Sequence, residues 1–371
     1  MPPIRVLQIM PAMDAGGMET FVMNVYRTID REKVQFDFLD HYDKPCFFDD
    51  EIRALGGRIY KLTVRQDNNI PRYLHALRTL FAAHPEWCII HGHYSGFGMF
   101  YNPVAKRAGI PVRCGHSHNT AYEPNLVGQL DRVMSSFFRF GLTDRFACSE
   151  KAGQMLYGKA PFTVVPNGID TARFAARDAQ RRALLRGELG VTDQDILFGH
   201  VGRFSAQKNH PGLLKIFAAV RTRLPKARLV LLGGGEPAYV EKMQNLAAEL
   251  GLGDSVIFAG VRSNMQSFYD AMDAFVLPSL FEGLPVVLVE AQTAGLPCFV
   301  SDTVDAGAAF TDRVKFLPLN DVSAWANTIA AASFRRDPQA REKAVKAGYD
   351  IHTSAQVLQQ FYLRRYTEVT K

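Results

Sequence analysis

Two glutamates eight residues apart, Glu282 and Glu290, stand in the segment PSLFEGLPVVLVEAQTAGLP. Taken singly, each is an ordinary paired or solvated acid. Together they frame the start of a helix. Pro285 sits where a first helical turn accepts proline, and the chain from Val286 onward is almost wholly apolar. At a helical rise of about 1.5 Å per residue their backbones would stand roughly 12 Å apart. That is too far to share one proton or one metal. It suits an elongated ligand with hydroxyls at both ends and an anion between them. The anion would face free N–H groups near Gly283 and Leu284, where the helix dipole favours negative charge. A sugar nucleotide has that layout: sugar, diphosphate, ribose. Glu290 lies among Leu288, Val289 and Ala291, so an ionised carboxylate there needs dedicated partners.

Cations come from GRFSAQKNH, where Arg203 and Lys208 follow a strand-like run and precede a helix opened by Pro211. Two cations at the carboxyl end of a central strand can converge on a diphosphate. Gly233-Gly234-Gly235 after RLVLL opens a second glycine-rich turn on the same edge. Gly16-Gly17 does so after the first strand, although without the spacing of a dinucleotide fingerprint. Histidines cluster in HGHYS (His91, His93) and GHSHN (His116, His118, Asn119). The alternating histidines are read as divided between strand faces, one of each pair structural. No helical His pair or Cys pair supports zinc, and no metal is expected. There is no nucleophile elbow, Walker loop or reactive-cysteine context.

The elements that must position these groups alternate along the chain. Ile4 to Met10 reads as a strand, and Met18 to Ile29 as a helix with Phe21, Val22, Val25 and Ile29 on one face. Further strands are expected at Gln35–Leu39, Gly57–Leu62, Trp87–Ile90, Val112–Cys114, Arg145–Cys148 and Thr163–Val165, with helices such as Pro71–Ala83 between them. After the turn cluster VPNGID (Val165–Asp170) a second series follows: Ile196–Val201, Arg228–Leu232, Val256–Phe258, Ala274–Leu277, Cys298–Val300 and Val314–Leu317. The pattern is α/β, two tandem doubly wound domains of Rossmann type. Residues 1–170 form the first and 171–352 the second. A final helix, Thr353–Tyr366, has Leu358, Phe361, Tyr362 and Tyr366 on one side and is expected to pack back on the first.

The chain of 371 residues is 47% hydrophobic and 22% charged, within the range of globular proteins. No apolar run reaches the roughly 20 residues of a membrane span, and MPPIRVLQIM reads as a strand, not a signal peptide. Five scattered cysteines without metal spacing suit a reducing cytoplasm. The net charge of +6 fits phosphorylated ligands or an anionic membrane face. No basic cluster or finger motif points to nucleic acid. Asp131–Phe146, DRVMSSFFRFGLTDRF, reads as one helix, either interfacial or core-facing with solvated arginines, and the core-facing reading is favoured.

Taken in order, GGMETFVMNVYR, CGHSHNT, CSEKA, VPNGID, GRFSAQKNH, LLGGGE and FEGLPVVLVEA resemble the retaining glycosyltransferases of the two-Rossmann (GT-B) type, with a cleft between the domains. They are most similar to glycosyltransferase family 4 and its bacterial exopolysaccharide and capsule members. The resemblance spans nearly the whole chain. It implies that Gly16 and Gly17 line the donor cleft and that His93 lies beside the transferred sugar. His118 and Asn119 would lie on the acceptor side. Arg203 and Lys208 would neutralise the departing diphosphate. Glu282 would bind sugar hydroxyls, Glu290 the ribose, and the backbone at Val261 and Arg262 the base. The sequence departs from many members in reading EGLP after Glu282, where they read EGFG, which blurs the choice of sugar.

The implied reaction moves a sugar from a nucleotide-diphosphate donor, by family frequency a UDP-sugar, to an acceptor hydroxyl with retention. Electrostatic stabilisation of the leaving group would dominate, with no cofactor and no metal, and domain closure about VPNGID would gate turnover. The acceptor is expected to be a saccharide or lipid-linked saccharide. Acceptor choice is assigned to the Asp43–Asp50 and Asn119–Gly128 stretches. Peripheral contact with the cytoplasmic membrane face stays open. The alternatives are a sugar-nucleotide 2-epimerase of the same fold and a non-catalytic sugar-nucleotide-binding protein.

Overall fold

The computed structural model describes residues 2–63, 69–93, 95–119, 122, 126–138 and 140–371. The first sheet contains β1 Ile4–Ile9, β2 Val34–Asp40, β3 Arg58–Lys61, β4 Ile89–Gly92, β5 Val112–Ser117, β6 Asp144–Ala147 and β7 Thr163–Val164. The second contains β8 Ile196–Val201, β9 Ala227–Leu232, β10 Val256–Gly260, β11 Ala274–Leu277, β12 Cys298–Ser301 and β13 Val314–Leu317. Neighbouring strands pair in parallel in the orders β3-β2-β1-β4-β5-β6-β7 and β10-β9-β8-β11-β12-β13. Parallel sheets need helices on both faces, so their central strands are apolar throughout and not alternating.

The first sheet shows why. Consecutive strand residues point to opposite faces. Val6 joins Phe21, Val22, Val25, Phe36 and Phe38 under the helix Gly17–Thr28. Leu7 and Ile9 join Tyr73, Leu77, Tyr101 and Val104 under the helices Ile70–Ala83 and Gly98–Arg107. In the second sheet Phe198, Leu229 and Leu231 pack with Leu213, Leu214, Phe217 and Trp325 from the helices His210–Arg221 and Val322–Ala330.

The chain divides into two compact units, residues 1–168 with 350–371, and residues 169–349. The last helix, Ile351–Thr370, belongs to the first unit and places Leu358, Phe361 and Tyr362 in its core. The backbone N–H of Asp30 donates to Gln359 Oε1 at 2.8 Å, and the Tyr362 hydroxyl lies 2.6 Å from His91 Nδ1.

One expected element is corrected. Asp131–Phe146 is not a single helix: the helix is Leu126–Phe138, and Asp144 already begins β6. Gly141, at φ +89°, turns the chain between them. Nor does its apolar side face the core. Ser135 and Phe138 are buried, whereas Leu126, Leu130, Val133 and Phe137 are exposed.

Candidate active site

Open α/β sheets hold ligands outside the carboxyl ends of the strands, where the chain switches from one side of the first strand to the other. In the second unit that point lies between β8 and β11. The loop after β8 carries Arg203 and Lys208, and the loop after β11 carries Glu282. Lys208 Nζ and Glu282 Oε1 form an ion pair at 2.5 Å. The two loops are tied further. Gln207 Nε2 donates to the Phe281 carbonyl at 3.0 Å, Leu280 N to the Gln207 carbonyl at 2.8 Å, and Asn209 Nδ2 to the Pro278 carbonyl at 3.0 Å. Asn209 adopts φ +53°, a conformation asparagine tolerates, and its side chain caps the helix His210–Arg221 by accepting from Gly212 N. Phe204 is buried and stacks on His210 with ring centroids 4.1 Å apart. Its neighbour Arg203 is exposed.

Two more loops reach this edge. Gly233 has φ +142°, and a Cβ there would stand 2.1 Å from the Gly202 carbonyl oxygen. Only glycine lets the loop after β9 lie so close to the loop after β8. Val261 and Arg262, after β10, are both exposed, and a Cβ on Gly234 would meet Val261 Cγ2 at 2.9 Å.

Gly283 and Leu284 lead into the helix Val286–Thr293, which no side chain caps. Pro285 takes the N-cap position just ahead of it and not the first turn. Only part of the interval from Glu282 to Glu290 is therefore helical, and a constant helical rise does not measure their separation. Glu290 is buried, and the Tyr269 hydroxyl donates to its Oε2 at 2.8 Å. Burial pushes its carboxyl up to about 7.

In the first unit the switch lies between β1 and β4. His93 follows β4, and its ring nitrogens are both engaged: Nε2 lies 2.9 Å from Gln8 Oε1 and Nδ1 lies 2.8 Å from His118 Nε2. With Gln8 Oε1 as acceptor, neutral His93 carries its proton on Nε2, and His118 donates from Nε2 to His93 Nδ1. Neither ring nitrogen of His93 is open to a sugar in this arrangement. The expected division of histidines between strand faces is wrong. Residues two apart share a face, and the His91 and His93 rings stack at 4.6 Å and 12°. His116 and His118 stack at 4.3 Å and 20°. Burial, joined by repulsion from the neighbouring imidazoles, lowers His91 to about 3 and His93 and His116 well below the usual range. Burial lowers His118 to about 3. All four are held neutral.

Ring nitrogens of His91, His93 and His116 lie within 4.8 Å of one another. Imidazole lone pairs lie in the ring plane, and rings stacked at 12°, 19° and 27° hold theirs in nearly parallel, separate planes that do not meet at one ion. The cluster therefore does not fit a metal.

Gly16 caps the helix Gly17–Thr28. Glu19 folds over it so closely that a Cβ on Gly16 would lie 2.2 Å from Glu19 Oε2. That carboxylate makes this helix start a poor anion seat. Asn119 is exposed beside His118. The Asn119–Gly128 stretch lies partly outside the described residues.

Sequence reading paired the right loops but missed their fasteners: Gln8 on His93, Gln207 and Asn209 on the Glu282 loop, and Tyr269 on Glu290. Gln8 had a signal, a lone amide in the apolar run VLQIM. Tyr269 had none.

Residues 182–350 match the family described as glycosyl transferases group 1, and residues 15–173 match Glycosyltransferase Family 4. The glycosyltransferase EpsF of Bacillus subtilis (strain 168) is 35% identical over 378 residues, covering 96% of each chain. The UDP-Gal:alpha-D-GlcNAc-diphosphoundecaprenol alpha-1,3-galactosyltransferase of Escherichia coli is 24% identical over 342 residues, 88% of this chain and 86% of that one. Anabaena Alr3699/HepE, in its crystal structure with UDP and glucose, shares the fold with a TM-score of 0.73 at 17% identity, over 99% of this chain and 98% of that one.

Proposed function

The chain belongs to glycosyltransferase family 4 and has the GT-B fold of two Rossmann-like domains, and from that premise we propose that it moves a hexose from a UDP-sugar to a saccharide hydroxyl with retention. The observation that carries this reading is the Lys208–Glu282 ion pair at the switch point of the second sheet, beside exposed Arg203. An ion pair ready to be opened by an anion is what a diphosphate site needs. On donor binding Lys208 turns to the diphosphate and Glu282 to the sugar hydroxyls.

The bond between sugar C1 and the diphosphate oxygen breaks, and its electron pair goes to the β-phosphate. Lys208 and Arg203 stabilise that charge as it develops. The acceptor hydroxyl attacks C1 from the same face and gives its proton to the departing phosphate oxygen. The products are the glycosylated acceptor and UDP. Cations already supplied by the chain remove the need for a bound metal, and rates in chelator should match those without it.

A named relative acts on a saccharide carried by diphosphoundecaprenol, and we assign this chain the same class of acceptor. Its place would be in extracellular polysaccharide assembly, working at the cytoplasmic membrane face.

The test is transfer from UDP-glucose, UDP-galactose and GDP-mannose to a lipid-linked acceptor, with product configuration read by NMR. Lys208→Ala and Arg203→Ala should each cost ~10²-fold or more in kcat, as removal of an electrostatic donor does. Full activity in either variant removes that residue from the mechanism. Epimerised donor formed without acceptor would favour the 2-epimerase reading instead.

A further inference from the structure

Beyond the groups assigned to sugar transfer, three ligating side chains meet at the carboxyl end of β2. Asp40 ends that strand, Cys46 lies in the loop behind it, and Asp49 opens the helix Asp49–Ala54. A carboxylate oxygen of Asp40, the sulfur of Cys46 and a carboxylate oxygen of Asp49 lie within 4.8 Å of one another. The local fold brings them together. His41 N donates to the Pro11 carbonyl and Phe48 N to the Met13 carbonyl, each at 3.0 Å, so this loop packs on the loop after β1. Asp40, Cys46 and Asp49 are 0%, 9% and 5% exposed.

The cluster contains an unmatched carboxylate. Among the described residues neither oxygen of Asp40 has a hydrogen-bond partner, and neither does Asp49 Oδ1. Buried carboxylates are nearly always paired, because desolvation penalises an unpaired one. The cations beside it are engaged elsewhere. Lys44 Nζ pairs with Asp14 Oδ2 at 2.6 Å, and Arg53 Nη1 with Asp50 Oδ1 at 3.2 Å. Lys61 Nζ holds Asp49 Oδ2 at 3.0 Å and also donates to the Lys44 carbonyl. The Met13 amide and Lys61 favour a charged Asp40 without closing a hydrogen bond of normal geometry. Burial and repulsion from Asp49 outweigh them and push its carboxyl up to about 7. Such a group is settled by a proton or by a cation.

The donor set selects the cation. Magnesium and calcium take all-oxygen sites, whereas one soft thiolate with two carboxylates and a water suits zinc. Zn–S bonds of about 2.3 Å and Zn–O bonds of about 2.1 Å give tetrahedral edges of roughly 3.5 Å. From separations of up to 4.8 Å the three atoms draw in by at most about 1.3 Å. Asp49 can ligate through Oδ1 while Lys61 stays on Oδ2, the outer support that metal ligands commonly have. The charges then balance: two carboxylates and a thiolate against the ion and the Lys61 ammonium. Cys46 and Asp49 also line a surface hollow, which gives an ion its way in.

We propose that Asp40, Cys46 and Asp49 bind one zinc ion that pins the loop between β2 and the helix Asp49–Ala54. On binding, the Cys46 thiol gives its proton to solvent and its sulfur bonds the ion; nothing is oxidised or reduced. The ion is structural, and its binding is independent of the proposed transfer, whose charge is met by Lys208 and Arg203.

Cobalt(II) reports such a site, because thiolate ligation gives a charge-transfer band in the near ultraviolet. The full chain, dialysed free of metal, should take up a single Co2+ with that band, and Zn2+ but not Mg2+ should displace it. Cys46→Ser should abolish the band. Asp40→Asn should weaken Zn2+ binding by more than the ~10–100-fold that loss of an outer partner costs. Zn2+ should raise the melting temperature of wild type and leave that of Asp40→Asn where it stands. Without metal, Asp40→Asn should melt no lower than wild type, because it replaces an unmatched carboxyl by a neutral group of the same shape; this separates a lost ion from a lost fold. No cobalt band in wild type, a band that persists in Cys46→Ser, or equal Zn2+ affinity in wild type and Asp40→Asn overturns the proposal. So does a metal-free Asp40→Asn that melts lower, since Asp40 would then already have its partner.

Discussion

Lys208 and Glu282 neutralise each other at 2.5 Å across loops that are 74 residues apart in sequence. Each is the other's counterion, and the proposed donor binding would separate them. Glu282→Gln should therefore act in two directions. It should lower kcat/KM with the UDP-sugar by ~10²-fold, through lost contacts to sugar hydroxyls. It should leave affinity for UDP alone undiminished or higher, because Lys208 is released; calorimetric titration reads both ligands. Weaker UDP binding would mean that Glu282 serves to hold Lys208 in place. Glu290 has a different chemistry. Its carboxyl, pushed up to about 7 by burial, is half ionised near neutrality. On the ribose role that the family resemblance implies, only the ionised form accepts from two hydroxyls, so donor affinity should rise from pH 6 to pH 8, and Glu290→Gln should flatten that slope. The stability sign is opposite. The folded state binds more protons than the unfolded state between about 4.5 and 7, so this group's contribution falls as pH rises through that window.

At the scale of elements, the second site is an edge of four loops that must nearly touch. Gly233 is the tightest point. Gly233→Ala would set a Cβ against the Gly202 carbonyl at a φ that side chains rarely adopt. We expect a loss of about 1–3 kcal/mol in stability and a larger loss of donor affinity than of fold, read by thermal melting beside donor titration. An unchanged donor affinity would detach the loop after β9 from the site. The strands and most helices were legible because their signals are local: the apolar run Arg228–Leu232 and the proline start at Pro211 each declare themselves. The segment after Asn119 was not. Leu126, Leu130, Val133 and Phe137 recur at helical spacing, yet period alone cannot say which neighbour receives that apolar face, and here it is left to solvent.

The whole molecule is two compact units, and the first is completed by the end of the chain. Helix Ile351–Thr370 brings Leu358, Phe361 and Tyr362 into a core begun more than three hundred residues earlier. Each buried side chain of this size contributes about 1.5–3 kcal/mol, and a domain's margin is only about 5–15 kcal/mol. A chain ending at Tyr349 should lose the cooperative folding of the first unit while the second still unfolds as a unit. Limited proteolysis should then degrade residues 1–168 and spare residues 169–349, and a protected first unit would show that the helix is dispensable. The candidate site residues, the order of strands and most helices, and the family were all present in the sequence, because residue type and hydrophobic period are local properties. Only the tertiary structure decided who meets whom: Lys208 with Glu282, His93 with Gln8 and His118, Glu290 with Tyr269, and Tyr362 with His91. Those pairings depend on strand order and on where distant loops converge, which no local period encodes.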